Sequence, residues 1–188
     1  MLKHLGTSVR LTLITVVMLG FIYPVAMTGI AQAIFPKQAN GSIVTVNGKP
    51  VASEIVGQLW TKPQYFHGRP SAAGKGYDPT NTGGTNLGPT SKKLMDATKA
   101  AIAQVRKENP AQTTEPPADL VTSSASGIDP DISPEGAYYQ AARVAAARGI
   151  PVARVDALIA QHVRGRTFGF LGEPRVNVLE LNLALDRE

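Results

Sequence analysis

The chain has 188 residues and no cysteine, which excludes a disulfide framework and any cysteine-based zinc or thiol site. Beyond residue 36 it carries 17 basic and 14 acidic residues, a net charge of +3 that is too small to indicate nucleic-acid binding. This length allows one membrane-spanning segment and one folded domain of about 150 residues.

Residues 11–36 contain no Asp, Glu, Lys, Arg or His. A helix of this length reaches roughly 39 Å at about 1.5 Å per residue, more than the ~30 Å hydrocarbon core of a bilayer requires. The alternative is a cleaved secretory signal, because Ala31-Gln32-Ala33 has the form of a cleavage site. The length of the apolar run favours a transmembrane helix at 11–36.

The short segment 1–10 carries Lys3 and Arg10, and positive charge before a membrane helix favours a cytoplasmic N-terminus. Residues 37–188 then form an extracytoplasmic soluble domain. Lys37 and Lys49 follow the helix and weaken this charge bias. The sequence therefore predicts a single-pass membrane protein with its main domain outside the cytoplasm.

Small residues in the apolar run predict a contact with a second membrane helix. Gly20, Gly29 and Ala33 leave room for close approach, and Pro24 is expected to free a backbone carbonyl and bend the helix. The alternative is that Gly and Pro are simply frequent in membrane helices.

After the membrane, residues 42–51 predict a β-hairpin, because Asn47-Gly48 separates two short apolar runs. Residues 68–88 are rich in glycine and predict an ordered but irregular segment. A helix is expected over 89–108, with Pro89 in its first turn.

A loop near 109–118 divides the domain into two lobes. The second lobe is expected to open with a short strand at 120–122, followed by a helix that Ser133 caps and Gly149 ends. A further helix is expected over 152–163, with Gly165 as its stop. At 176–185 strand and helix patterns compete, and Asn177 as a cap favours helix. The expected fold class is α+β: one N-terminal transmembrane helix followed by one mixed α/β extramembrane domain.

The motifs of independent catalysis are incomplete. Residues 83–90 have the glycine spacing and final Thr of a phosphate-binding loop, but Pro89 replaces the lysine that meets the phosphates. His67 and His162 are the domain's only histidines and lack metal-ligand spacing, so we expect no catalytic and no metal site. A membrane-anchored serine hydrolase using Ser126 stays open as an alternative.

Two segments suggest binding. Phe66, His67 and Arg69 combine rings with a guanidinium, as interface residues do, although a turn whose arginine bonds local carbonyls fits equally well. Residues 121–130 offer hydroxyl and N–H groups ahead of a helix N-terminus, where an anionic group can bind. The alternative for this second segment is a capping loop.

Four strings carry a resemblance that covers essentially the whole chain. They are YFHGRPSA at 65–72, NTGGTNLGPTS at 81–91, PADLVTSSASGIDPDISPEGA at 117–137, and GFLGEPRVNVLELNLALD at 169–186. Together with the uncharged N-terminal run, they resemble the C subunit of the Kdp-type potassium-transporting P-type ATPase.

The resemblance implies an accessory, non-catalytic subunit of an ATP-driven potassium-uptake complex in a bacterial plasma membrane. Implied partners are a channel-like subunit, an ATP-hydrolysing subunit and a small hydrophobic subunit, together with membrane lipid. The family is described as a catalytic chaperone that raises ATP affinity, with ATP as a ligand and no tightly bound cofactor. The resemblance implies nucleotide-related roles for five positions of this chain: Ser123, Ser124, Ser126, Gly127 and Gln140.

The predicted topology conflicts with direct ATP contact, because ATP is cytoplasmic and these positions would lie outside. We therefore expect the domain to cap the exterior of the channel-like subunit. A runner-up is a membrane-tethered helix-turn-helix DNA-binding regulator formed by residues 140–159. Its second helix would supply Arg154 and little other basic charge, and it needs the opposite orientation.

Overall fold

The computed structural model describes residues 2–187, and the chain divides into two compact units, Met1–Ser53 and Glu54–Glu188. Met1 and Glu188, the outer ends of the predicted segments 1–10 and 37–188, lie outside the described residues. The side chain of Lys3, which enters the charge argument, also lies outside them.

The first unit begins with a long apolar helix in three parts: α1 (Leu2–Val17), a wider π-helical turn (Met18–Ile22) and α2 (Tyr23–Ile34). Residues His4–Ile34 suit a membrane span by length and composition, with a mean hydropathy of 2.1 and no burial within the protein. Pro24 lies in the first turn of α2, directly after the wide turn. Since proline has no N–H for the carbonyl four residues earlier, the backbone widens there.

A short helix, α3 (Pro36–Ala39), leads into a two-stranded antiparallel hairpin of β1 (Ile43–Val46) and β2 (Lys49–Ser53). Asn47 and Gly48 both have positive φ, +51° and +75°, as the tight turns of two-residue hairpins require. The predicted hairpin is therefore confirmed.

The second unit has no helix or strand between residues 54 and 91 and is then mostly helical. A three-stranded antiparallel sheet in the order β3-β5-β4 lies beside the helices. The α+β fold class with one N-terminal membrane-spanning helix is confirmed. The elements are α4 (Lys92–Glu108), α5 (Ala118–Val121), β3 (Asp131–Ile132), α6 (Pro134–Arg148), α7 (Val152–His162), β4 (Val163–Arg164), β5 (Arg175–Asn177) and α8 (Val178–Leu185).

The core of this unit lies where α6, α7, β5 and α8 meet. Val144 of α6, Val155 and Ile159 of α7, Val176 of β5 and Leu181 of α8 are completely or almost completely buried. Spacings of three to four residues place the apolar side chains of each helix on its inner face. The core thus fixes the two helices and the central strand on which the predicted site residues depend.

Three predicted boundaries are wrong. The helix expected from residue 89 begins at Lys92, because Ser91 has an extended backbone and its side chain accepts from Leu94 N. The strand expected at 120–122 is the helical turn α5. Finally, α7 spans Val152–His162, within one residue of the expected range, but Gly165 is not its stop, since Val163 continues directly into β4 and pairs with Val176.

Three other signals are confirmed. Ser133 Oγ accepts from Gly136 N at the start of α6, and Gly149 ends that helix at φ +67°. Asn177 caps α8 by accepting from Glu180 N at 3.1 Å. The competing patterns at 176–185 are both partly right, because a three-residue strand runs straight into an eight-residue helix.

Candidate functional site

Gln140, a predicted nucleotide position, instead holds the backbone of the loop that contains His67. Its Oε1 accepts from His67 N (2.8 Å) and Arg143 Nη2 (2.7 Å), while its Nε2 donates to His67 O (3.1 Å) and Gly136 O (3.2 Å). The side chain is buried and both amide ends are fully used. These bonds give Gln140 a structural role, and a nucleotide contact through this side chain would require breaking them.

Phe66, predicted as an interface residue, is completely buried in the core. Asn182 of α8 holds its backbone as Gln140 holds His67: Asn182 Oδ1 accepts from Phe66 N (2.8 Å) and its Nδ2 donates to Phe66 O (3.0 Å). The assignment of Phe66 to a partner interface is therefore corrected, because its ring has no exposed surface to offer.

Arg143 completes the attachment of this loop. Its Nη1 donates to Pro63 O (2.6 Å) and Tyr65 O (3.0 Å), and its Nε donates to Asn109 Oδ1 (3.1 Å). Sequence reasoning missed both Arg143 and Asn182. A signal existed for Asn182, which is a polar residue inside the otherwise apolar run of α8. Together, Gln140, Asn182 and Arg143 hold the irregular segment at 63–67 against helices α6 and α8.

The ring of His67 is mostly buried, and each of its nitrogens lies within hydrogen-bond distance of an oxygen. Nδ1 lies 3.2 Å from Glu108 Oε2 and Nε2 lies 3.1 Å from Lys62 O. Burial, and then the nearby Arg143 guanidinium, lower the pKa of His67 below its usual value, and Glu108 only partly opposes this. A neutral ring carries one N–H and donates to only one of these two oxygens, whereas the protonated ring donates to both.

A pH dependence of stability follows from His67. Because its folded pKa lies below the usual value of 6.5, the unfolded chain takes up this proton first as the pH falls. We expect stability from this group to be complete above pH 6.5 and to decrease on acidification towards the folded pKa. Thermal unfolding of the full chain in detergent at pH 8 and pH 5.5 should show a larger loss for wild type than for His67→Gln. An equal or smaller loss in wild type would contradict this.

Arg69 bonds within its own domain, as the alternative interpretation of this segment expected. Its Nη1 pairs with Asp129 Oδ2 at 3.0 Å, and its Nε and Nη2 each lie 3.5 Å from a carbonyl, those of Thr122 and Ser123. The guanidinium stays partly exposed. Arg69 thus ties the loop after His67 to the serine-rich loop and keeps one face open.

The serine-rich loop, residues 121–130, uses its own hydroxyls to hold its turn. Ser124 Oγ accepts from Gly127 N (2.9 Å) and Ser126 Oγ accepts from Ile128 N (3.3 Å). Ser124 is buried, and the Ser123 carbonyl faces Arg69. These contacts match a capping loop, and none of them requires a ligand.

The same loop packs closely against the glycine-rich segment before α4. Ser71 Oγ donates to Gly127 O at 2.5 Å, and Gly83 N donates to Ser126 O at 2.9 Å. Gly127 has φ +71°, and a Cβ there would lie 2.7 Å from both Cβ and N of Ala73. Gly127 is therefore required by backbone conformation and by close approach of a second chain segment.

The N-terminus of α6, where an anion was expected to bind, is filled by the chain's own carboxylate. Asp119 Oδ2 accepts from Ser133 N (2.6 Å), and its Oδ1 accepts from Ser133 Oγ (3.1 Å). A Cβ on Gly136 would lie only 2.9 Å from the same carboxylate. A phosphate at this helix end would meet a negative charge already in place.

His67 and Arg69 do come together in a surface cleft of about 600 Å³ in the second unit. Trp60, Lys75 and Tyr77 line it as well. Tyr77 Oη donates to Arg69 O at 2.6 Å, and burial, with the Asp129 carboxylate, raises the pKa of Tyr77 to about 12. Neither the serines of the serine-rich loop nor Gln140 line this cleft, although Gln140 bonds to the backbone of His67 and Arg69 lies against the Ser123 carbonyl.

Neither His67 nor His162 is placed to act as a general base for a serine nucleophile. His67 bonds to Glu108 and to Lys62 O, and His162 Nδ1 lies 2.8 Å from Leu158 O, so neither ring activates a serine. Within residues 2–187 no three His, Asp or Glu side chains are grouped to hold a metal ion.

Gly20 and Gly29, two of the small residues predicted to contact a second membrane helix, lie in the long N-terminal helix. Gly29 has nothing within 4 Å of its would-be Cβ, and Gly20 meets only Val16 of its own helix at 4.0 Å.

Helices α6 and α7 do form the pair expected for the DNA-binding alternative. Their facing residues, such as Val144 and Ile159, are buried in the core, and α7 carries a single arginine, Arg154.

Comparison with known proteins identifies similar chains along the full length. The family model for KdpC, described as the c chain of K+-transporting ATPase, matches residues 5–187. Proteins named potassium-transporting ATPase KdpC subunit are 52% identical in Koribacter versatilis (99% of this chain, 95% of that protein) and 54% identical in Myxococcus xanthus (96% and 86%). A third, from Caulobacter vibrioides, is 52% identical over 99% of this chain and 94% of its own length.

Proposed function

This chain belongs to the KdpC family, the c chains of K+-transporting ATPases, and as such is a non-catalytic accessory subunit of a potassium-uptake complex; we propose that it stabilises that complex and raises the ATP affinity of its ATP-hydrolysing subunit. The proposed partners are this subunit, a channel-like potassium-translocating subunit and a small hydrophobic subunit.

The effect on ATP is indirect in our proposal. The single observation that carries this is the fully occupied hydrogen bonding of Gln140, buried between His67, Gly136 and Arg143. The internal bonds of the serine-rich loop and the carboxylate of Asp119 at the start of α6 support the same view. Because the side chains carried over for the nucleotide are engaged in bonds within the domain, we place the effect on nucleotide affinity in the complex.

The proposed orientation places residues 37–188 outside the cytoplasm of a bacterial plasma membrane. Lys3 and Arg10 support it, since both precede the membrane helix. In this position the domain caps the exterior of the channel-like subunit, and His67 and Arg69 remain available at their cleft. The small residues Gly20, Gly29 and Ala33 leave room for a neighbouring membrane helix and otherwise meet lipid.

The ATP dependence of the purified complex tests this function. We expect the complex prepared without this chain to lose subunits on purification and to show a KM for ATP raised about 5-fold or more, within the usual range of coupling between sites. Ser126→Ala should leave the KM within about 2-fold, because the Ser126 hydroxyl only accepts a long bond from Ile128 N. Unchanged KM and unchanged composition without the chain would refute the proposal.

A further inference from the structure

The segment that follows the membrane helix is joined to it by hydrogen bonds and not by a flexible linker. This juxtamembrane segment, residues 35–53, comprises α3 and the β1–β2 hairpin. Phe35 N donates to Ala31 O at 2.8 Å, so helical bonding continues past the end of α2. Ser42 N donates to Lys37 O at 2.9 Å, and the hairpin begins at the next residue. The hairpin therefore starts from a defined position beside the membrane helix.

Side chains fasten the same segment to the last turn of the membrane helix. Gln32 of α2 and Asn40 exchange two amide hydrogen bonds, of 3.3 and 3.1 Å, and Asn40 Nδ2 also donates to Pro36 O at 2.7 Å. At the end of β2, Ser53 Oγ donates to Gly41 O at 2.6 Å. These bonds tie the connection and the end of the hairpin to the turn that contains Gln32.

The length of the helix sets the depth of this turn in a bilayer. Residues 11–34 are helical and uncharged, and they extend about 36 Å at about 1.5 Å per residue. The hydrocarbon core is ~30 Å thick, and the headgroup layers add roughly 5–8 Å on each side. With Arg10 at one surface, Gln32 lies in the headgroup layer of the other. Asn40, bonded to Gln32, lies at the same depth, and the hairpin begins three residues later.

The composition of the juxtamembrane segment suits that depth. It contains two basic residues, Lys37 and Lys49, and no Asp or Glu. Ile43 of β1 and Val51 of β2 are each 49% exposed. Positive charge beside exposed apolar side chains is typical of segments that lie at the surface of an anionic bilayer.

The hairpin also needs a surface to pack on. In the described part of the chain its sheet consists of β1 and β2 alone, with a β-bulge between Val44 and Thr45. A sheet of two strands is at best marginally stable in water by itself. Because its connection holds the hairpin at headgroup depth, the surface next to it is lipid.

We propose that the juxtamembrane segment lies on the bilayer surface, with Ile43 and Val51 at the boundary of the acyl chains and Lys49 against the phosphate of an anionic lipid. The inference goes beyond the proposed function, because it concerns lipid and not another subunit. It holds for either orientation of the chain, since it depends only on the membrane helix and on the bonds that tie the segment to it.

Electron paramagnetic resonance measures the depth of the hairpin. The chain has no cysteine, so Ile43→Cys and Val51→Cys each carry one nitroxide label, and Asn81→Cys, at an exposed position of the second unit, is the control. The full chain is reconstituted in vesicles of phosphatidylcholine and phosphatidylglycerol. We expect relaxation by oxygen, which partitions into the acyl region, to dominate at both hairpin positions, and relaxation by a water-soluble nickel chelate to dominate at Asn81. Nickel-dominated relaxation at either hairpin position would overturn the inference.

Photocrosslinking tests the same contact in the intact complex. Photoreactive benzoylphenylalanine replaces Ile43 in the full chain, and membranes that contain the complex are irradiated. We expect covalent adducts with lipid. Adducts with another subunit or with a second copy of this chain, or no adduct at all, would overturn the inference.

A lysine substitution tests the charge. Phosphatidylglycerol is titrated into the purified full chain in neutral detergent, and bound lipid is counted by native mass spectrometry. Lys49→Gln is expected to weaken phosphatidylglycerol binding about 5-fold, as for one basic residue near an anionic surface. Lys75→Gln, which removes an exposed lysine of the second unit, should stay within about 2-fold of wild type. Equal affinities of the two variants would overturn the contact of Lys49 with anionic lipid.

Discussion

Replacing Gly127 with valine is expected to destabilise the second unit by about 3–5 kcal/mol. The left-handed backbone, φ +71°, costs a non-glycine residue about 1–2 kcal/mol, and more when it is β-branched. The new side chain also meets Ala73 at 2.7 Å and Gly83 O at 2.9 Å, and such overpacking typically costs a further ~1–3 kcal/mol. Thermal or denaturant unfolding of the full chain in detergent measures the loss.

Gly88→Ala is the matched control, because nothing lies within 4 Å of its would-be Cβ and its φ is not in the left-handed region. We expect it to change stability by less than about 0.5–1 kcal/mol. A Gly127→Val protein as stable as Gly88→Ala would show that the serine-rich loop does not pack against residues 73–83 as the structure has it.

Asn182→Ala is expected to destabilise the same unit by about 3 kcal/mol, which corresponds to roughly 10 °C in melting temperature. The change leaves Phe66 N–H and C=O buried without partners and opens a cavity beside a completely buried side chain. Because Phe66 and His67 are held side by side, the cleft lined by His67 should lose its shape as well.

Asn81→Ala is the control here, since Asn81 is an exposed residue of the same irregular segment. Its effect should stay within about 0.5 kcal/mol. If Asn182→Ala unfolded at the wild-type temperature, then the paired hydrogen bonds to Phe66 would not hold the loop to α8.

Local sequence signals predicted the elements that depend on local chemistry. Asn47-Gly48 specified its hairpin, Ser133 and Gly149 set the limits of α6, and Asn177 capped α8. Each of these features works through bonds spanning a few residues.

Pairings across long sequence separations were not predictable. Strands β3, β4 and β5 have two or three residues each, too few for an alternating pattern to show. At 120–122 the β-branched residues favoured a strand, but these residues belong to the helical turn α5, whose Asp119 bonds Ser133, 14 residues later. Tertiary contacts overrode local preference there.

The environment of the site residues also depends on contacts between residues far apart in the sequence. Phe66 and Arg69 have the composition of an interface, yet only the fold reveals that Phe66 is buried and that Arg69 pairs with Asp129. Gln140 has the chemistry to contact a nucleotide, and its bonds to His67 come from a residue 73 positions away. Composition predicts which groups can bind, whereas packing decides which of them remain free.

We propose that the domain acts from outside the cytoplasm, where it has no access to ATP. The chain has no cysteine, so a single introduced cysteine reports its own location. We would label Lys75→Cys, an exposed position in the domain, in spheroplasts with a membrane-impermeant maleimide, and use His4→Cys as the control before the membrane helix. We expect Lys75→Cys to react in intact spheroplasts and His4→Cys to react only after lysis. The reverse pattern would place the domain in the cytoplasm and refute its proposed position.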